Sequence, residues 1–393
     1  MTRTTVDTLV VGGGIGGLAA ALALGRRGIE VDLIEDSPEF GEIGAGIQLA
    51  PNALRVLDGL GVLDRVCENG VYPQQGVLMD AVTGRHLTAI DFGDSFRQRY
   101  GYPYVVTHRT DLHSALLSEC RADPHVRLHN GKTAVALEDR GDLVSVTCAD
   151  GTEYVASAVI GADGVRSAVR DFTVGDGPPV CSGDVAYRGA VSMDLVGDAA
   201  GVDNVVWWIG PDMHLIQYPI RRGELFNQVA VFTSQDYRPG MDEKDWGGVD
   251  ELDRSFAGKA HEVTSAVTLI NRDRHWALHD REPVDSWTRG RVTLLGDAAH
   301  AMMQYLAQGA CQALEDAWCL ADCMESHSDD VEKAFDSYQQ KRIPRTATVQ
   351  RWARWMGQIV HAHEPFARVR NELLTRRSDD DFAFFDWLYR EEC

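Results

Sequence analysis

Two kinds of residue in this chain could do chemistry: glycines spaced to admit phosphate, and a few polar side chains at the ends of strands. Gly12, Gly14 and Gly17 form G-x-G-x-x-G directly after the β-branched apolar run 6–11, and Ile15, Leu18 and Leu22 then share one helical face. Gly28 stands where that helix should stop, and a second apolar run, 29–35, ends in Glu35. Gly12 suits a tight strand-to-helix turn, Gly14 lets backbone approach a pyrophosphate, and Gly17 lets the helix lie close on a sheet. Unpaired N–H groups and the dipole at the helix start favour an anion. Glu35 can accept hydrogen bonds from both hydroxyls of a ribose. Strand, glycine turn, helix, strand and acid at these spacings predict an ADP-binding unit.

Further along, polar residues recur at strand-to-turn junctions. The run 154–160 feeds Gly161-Ala162-Asp163-Gly164, with Arg166 just beyond, and the strand 291–295 opens into Gly296-Asp297. Such positions lie at the carboxyl ends of strands, where open α/β sheets bind ligands. Gly309 and Ala310 open a helix over 311–324, and Arg109 follows a short strand at a helix start capped by Thr110 or Asp111. In the run 213–218, period two places His214, Ile216 and Tyr218 on one face and Met213, Leu215 and Gln217 on the other. His214 titrates near working pH and could serve as a base; the plain alternative is a histidine satisfied within the sheet. His108 and His113, five apart on different helical faces, do not read as a metal site.

These residues need scaffolding, and 393 residues suffice for two or three cores. Glycines 44 and 46, in the run 42–49, let backbone pass close to something flat, and Ile47 within it is a cofactor-contact candidate. A hairpin is expected around Thr83-Gly84, a polar excursion over 91–101, and antiparallel strands and turns from 180 to 269. Helices are expected over 331–341, 344–360 and 364–376. With 38 Lys+Arg against 59 Asp+Glu, the net charge of -21 argues against nucleic acid or an anionic membrane. No apolar run approaches the ~20 residues of a membrane helix. The N-terminus enters a strand, which argues against a signal peptide. The eight cysteines contain no C-x-x-C and are expected to be reduced thiols in the cytoplasm, Cys319 and Cys323 packing within a helix.

Taken in order, the glycine motif with Glu35, the Asp163-Gly164 turn and the Gly296-Asp297 turn resemble the FAD-dependent aromatic hydroxylases, the single-component flavoprotein monooxygenases. The resemblance spans nearly the whole chain. The runs 104–113, 214–219, 227–232 and 296–316 are most similar to members acting on 3-hydroxybenzoate. It implies an α/β fold: a Rossmann-like FAD-binding domain (1–75, 102–176 and 276–325), an interleaved antiparallel-sheet substrate domain (76–101 and 177–275), and a C-terminal helical region (326–393).

It implies that Gly12, Gly14, Gly17 and Glu35 hold the ADP half of FAD, with Arg109, Asp163 and Asp297 on the cofactor and Gly309 and Ala310 at its pyrimidine edge. NADH or NADPH would dock transiently, since no second glycine motif is present. O2 would add at flavin C4a, and the hydroperoxide would transfer OH to a phenolic acid. His214 and Gln304 would meet the phenol oxygen, with Tyr218 and Tyr104 on the pocket wall. Arg188 would help flavin movement or form a salt bridge. Salicylate- or hydroxynicotinate-type hydroxylation, or another flavin oxidation, are the alternatives, and a homodimer is the expected assembly. Many relatives continue Gly-Asp with His-Pro and a second proline. Here Ala301 follows His300 and Gln304 takes the later place, which leaves that loop less constrained.

Overall fold

The computed structural model describes residues 3–41, 44–196 and 201–390; Glu42, Ile43 and Cys393 lie outside the described residues. The first sheet has eight strands. Its main path runs Thr288–Arg289, Val292–Leu294, Glu153–Gly161, Arg3–Val11, Val31–Ile34, Val126–His129, and the hairpin of Ala134–Asp139 and Val144–Cys148 pairs onto Glu153–Gly161. The four pairings from Val292–Leu294 to Val126–His129 are parallel. In register, Val11 lies between Gly161 and Ile34, and Gly161 beside Leu294. The segments that follow these strands therefore leave the sheet along one edge. Helix Ile15–Gly25 is buried almost all round, as expected of a helix between sheet and helix layers.

The second sheet has seven strands in the order Trp276–Asp280, Val180–Ser192, Leu225–Thr233, Met213–Ile220, Val205–Gly210, Gln75–Asp80, His86–Asp91. Its pairings are antiparallel except that of Val205–Gly210 with Gln75–Asp80, which is parallel. The hairpin around Gly84 forms as expected. Met213 and Leu215 pack into one core with Phe232, Leu252 and Phe256, whereas Ile216 and Tyr218 pack toward the nucleotide-type sheet. The alternation read from sequence is thus realised, with a different core on each face.

Four local expectations need correction. The stretch 249–269 is two helices, Val249–Phe256 and His261–Leu269, because Leu252 and Phe256, then Val263 and Val267, repeat at helical spacing and seal the sheet. Within 91–101 lies helix Asp94–Tyr100, anchored by buried Phe96 and Tyr100. The helix after the strand Val105–His108 is capped by His108, whose Nδ1 accepts the Thr110 N–H, instead of by Thr110 or Asp111. The two helices expected on either side of Pro344 are one, Val331–Val360. Proline removes one N–H and crowds the preceding turn. Here Arg342 and Arg345, on both sides of it, are held by buried ion pairs to Glu315 and Asp316 of helix Gly309–Ser326.

Candidate active site

A cavity of about 700 Å³ lies along the edge where the parallel strands end, between that edge and the second sheet. One end is built from backbone. Gly12 has φ +109, and a Cβ there would sit 2.4 Å from Ala162 O; at Gly17 it would sit 1.9 Å from Gly12 O. Both obstacles are main chain, so nothing flexible can yield. Gly14 caps the helix in extended conformation without a side chain, leaving the first N–H groups open to the cavity. Glu35 is on the rim, but its carboxylate also secures the loop: Oε2 accepts Gly13 N–H at 2.7 Å and Oε1 accepts Ser37 N–H at 3.0 Å. Behind the loop, buried His113 contacts Gly13 O at 2.9 Å through Nε2.

Arg109, Ile47, Asp163, Asp297, Gly309 and Ala310 also line this cavity. Asp163 is tied locally, accepting from the Ser167 hydroxyl and from Val169 N–H at 3.2 Å, and burial raises its pKa. Asp297 is exposed and opens the short helix Asp297–His300. Gly309 begins helix Gly309–Ser326, so a second helix N-terminus faces the same space. The strand Gly46–Leu49 crosses between the two sheets. Gly46 N–H donates to Asn227 Oδ1 at 2.6 Å, and a Cβ on Gly46 would lie 2.4 Å from the Tyr218 ring. Glycine is therefore needed where cofactor-side backbone meets the second sheet. Two helix N-termini and the glycine backbone supply N–H donors and the Glu35 carboxylate an acceptor, a set suited to a dinucleotide whose phosphates and ring edge want N–H groups and whose ribose hydroxyls want an acceptor.

The other end is built from side chains. Ile216, Tyr218 and Val229 from the second sheet, Met302, Met303 and Gln304 from the segment after His300, and Gln48 all line it. Tyr104 stands behind this wall: it stacks on Phe92 at 4.5 Å and donates to Gln48 Oε1 at 2.8 Å. Burial pushes the pKa of both Tyr104 and Tyr218 upward, so both remain neutral phenols. Gln304 lines the cavity, and its Nε2 is buried without a hydrogen-bond partner among the described residues.

His214 is fully buried and lies one layer beyond the open surface, enclosed by the rings of Trp207 and Tyr305 at 5.7 and 5.2 Å. Its Nδ1 is 2.8 Å from His361 Nε2, and its own Nε2 has no partner among the described residues. Burial, reinforced by the neighbouring His361, holds its pKa well below the usual histidine range. The imidazole is neutral at working pH.

Arg188 lines the cavity and lies over the Trp276 ring at 4.4 Å, a cation–π contact. His300 fixes its loop by bonding Asp316 at 2.5 Å, which also accepts Gly296 N–H. Sequence reasoning missed Gln48, Asn227, Met302, Met303 and His361. Gln48 lies inside the run 42–49, Asn227 inside 227–232 and Met302 and Met303 inside 296–316, but nothing in the sequence ties His361 to His214 across 147 positions.

Residues 5–353 match the family described as FAD binding domain. The chain is 42% identical over 386 residues to 3-hydroxybenzoate 6-hydroxylase of Polaromonas naphthalenivorans (strain CJ2), covering 98% of this chain and 96% of that protein. It is 39% identical over 395 residues to a 3-amino-4-hydroxybenzoate 2-monooxygenase of Streptomyces platensis, again covering 98% and 96%. Among solved structures, Klebsiella pneumoniae HpxO complexed with FAD and uric acid superposes with a TM-score of 0.84 at 26% identity, covering 98% of this chain and 96% of that one.

Proposed function

Because the chain belongs to the FAD-binding-domain family of single-component, flavin-dependent aromatic hydroxylases, we propose that it converts 3-hydroxybenzoate to 2,5-dihydroxybenzoate, consuming NAD(P)H and O2. That it is an FAD-dependent monooxygenase of an aromatic substrate follows from the family itself. When bound, FAD accepts reducing equivalents from the nicotinamide and activates O2 for transfer of one oxygen atom to an electron-rich ring. Gly12, Gly14, Gly17 and Glu35 hold its ADP half in this reading, with Ile47, Arg109, Asp163 and Asp297 along its length. The N–H groups of Gly309 and Ala310, at a helix start lining the cavity, would donate to the pyrimidine edge and favour the negative charge of the reduced form.

The observation that carries the reading is a pair of buried nitrogens without partners among the described residues: Gln304 Nε2, on a residue that lines the cavity, and His214 Nε2, on a residue behind that lining. A phenol oxygen satisfies both. Neutral His214 accepts its proton, and the Gln304 amide donates to the phenolate that results. Ile216, Tyr218, Met302 and Met303 give the ring an apolar seat and keep water out. A phenolate directs electrophilic oxygen ortho and para. A hydroxyl held at His214, on the side away from the cofactor, would present the para carbon, which is position 6 of 3-hydroxybenzoate.

The test is product analysis with purified holoenzyme, NADH and NADPH in turn, and 3-hydroxybenzoate, salicylate and 3-amino-4-hydroxybenzoate as substrates. The expected result is 2,5-dihydroxybenzoate from the first. Catechol from salicylate, or oxygenation of 3-amino-4-hydroxybenzoate alone, overturns the substrate. His214→Ala should keep FAD yet slow oxygen transfer by roughly 10²–10⁴-fold and divert turnover to hydrogen peroxide.

A further inference from the structure

We propose that His361 and His214 form a two-imidazole path that carries the substrate's phenol proton from the buried ring-binding end of the cavity to solvent. The inference rests on the reading of His214 as the base and supplies the step that reading lacks. His214 is 0% exposed, so it cannot exchange a proton with water directly. An imidazolium retained there would be a buried cation, which desolvation disfavours strongly. Its one hydrogen-bonded ring nitrogen points to His361, at 2.8 Å.

His361 is better placed to release a proton. It is 9% exposed and immediately follows helix Val331–Val360, at the carbonyl end where the dipole favours positive charge. Asp184 and Asp212 lie near it and favour its cationic form; Arg370 and His363 oppose it, and burial is the largest opposing influence. Tyr305 fixes the geometry. Its ring packs against both imidazoles, at 5.2 Å from His214 and 5.5 Å from His361, and its hydroxyl donates to Asp184 Oδ2 at 2.8 Å.

The protons balance without any further reactant. In the resting pair, His214 Nδ1–H donates to His361 Nε2, and His214 Nε2 carries a free lone pair. The phenol O–H bond breaks toward His214 Nε2, the Nδ1 proton passes to His361 Nε2, and the His361 Nδ1 proton leaves to water. The substrate is left as phenolate and both imidazoles are neutral in exchanged tautomers. Return of a proton along the same path to the hydroxylated product's phenolate resets the pair. His361 is thus a positioning residue that acts through His214 and never touches the ring.

Stopped-flow mixing of oxidised holoenzyme with 3-hydroxybenzoate, in weak buffer with a pH-indicator dye, reads phenolate formation and proton release together. In the parent the two should rise in step. In His361→Ala both should slow by roughly tenfold or more, with FAD content unchanged, and added imidazole should restore them. His361→Gln keeps a hydrogen-bond acceptor for His214 but cannot relay, so it should stay slow; if the alanine variant fails to fold, this variant decides alone. Parent-like rates in His361→Gln overturn the relay while leaving His214 as base intact. A parent that forms no phenolate on binding overturns the base reading and the relay together.

Discussion

The two ends of the cavity are built on opposite principles. The end assigned to the dinucleotide is backbone: three glycines, two helix starts and one carboxylate, most of it within residues 12–35. The end assigned to the ring is side chain, drawn from segments near positions 48, 216, 229 and 303. Backbone donors serve any ligand carrying a pyrophosphate, so that end speaks for a dinucleotide and says nothing about substrate. Side-chain walls can change residue by residue without disturbing the fold, so specificity belongs to the second end.

The sharpest way to break this contrast is Gly17→Ala. Its methyl would lie 1.9 Å from a main-chain oxygen, and the loop must move as a whole. The expected outcome is protein without flavin colour after gel filtration, or no soluble protein; a yellow, active variant would refute the cradle. Next in size is Arg342→Ala. Its guanidinium is fully buried between Glu315 and Asp316 at 2.6 Å each, and Asp316 also holds His300 and Gly296 at the cofactor loop. Although burial works against ionisation, His300 and Arg342 hold the Asp316 pKa down at about 2. Leaving these carboxylates without that partner should cost about 3–5 kcal/mol in urea unfolding. A loss under 1 kcal/mol would show that the network contributes little.

At the ring end, Gln304→Ala removes one donor to a phenolate, about 1.5–3 kcal/mol for a charge-assisted bond, and should raise KM and peroxide leakage while FAD binding is unchanged. Equal losses at both ends would blur the division proposed here. The smallest effect is on stability with pH. Burial depresses the pKa of His214 and His361 in the folded protein, whereas the unfolded chain takes up protons near 6.5. The unfolded state therefore binds more protons below that value, so this stability is fully present above about pH 6.5 and is lost as pH falls toward the folded values. Asp316 acts in a separate window, from about 4 downward. Tm should fall between pH 7.5 and 5.5, and less so in a His214→Phe, His361→Gln double variant; identical slopes would remove the histidines from the account.

Much of the first end was legible in the chain because its demands are local. A positive φ at Gly12 and a close approach at Gly17 are steric requirements that contiguous residues must meet, so they leave a motif. Period two in 213–218 likewise predicted which residues share a face. It did not say that His214 would sit a layer behind Ile216, since that depth depends on how Trp207 and Tyr305 fill the space. Helical spacing is present in 249–269, but the hairpin-rich flanks mask it and favour strands there on sequence alone. His108 escaped notice as a cap because imidazole accepts an N–H only as the neutral tautomer that the fold selects.

By itself, then, the sequence determined the glycine turn, the order of the three turns at the strand ends and the alternation of the strand over 213–218. Only tertiary structure decided that His361 meets His214, that Gly46 presses on Tyr218 and Asn227, and that Pro344 lies within a continuous helix clamped by Arg342 and Arg345. The physical reason is range. Steric and periodic constraints act between neighbours in the chain, whereas these contacts depend on where separate elements cross, which no single segment encodes.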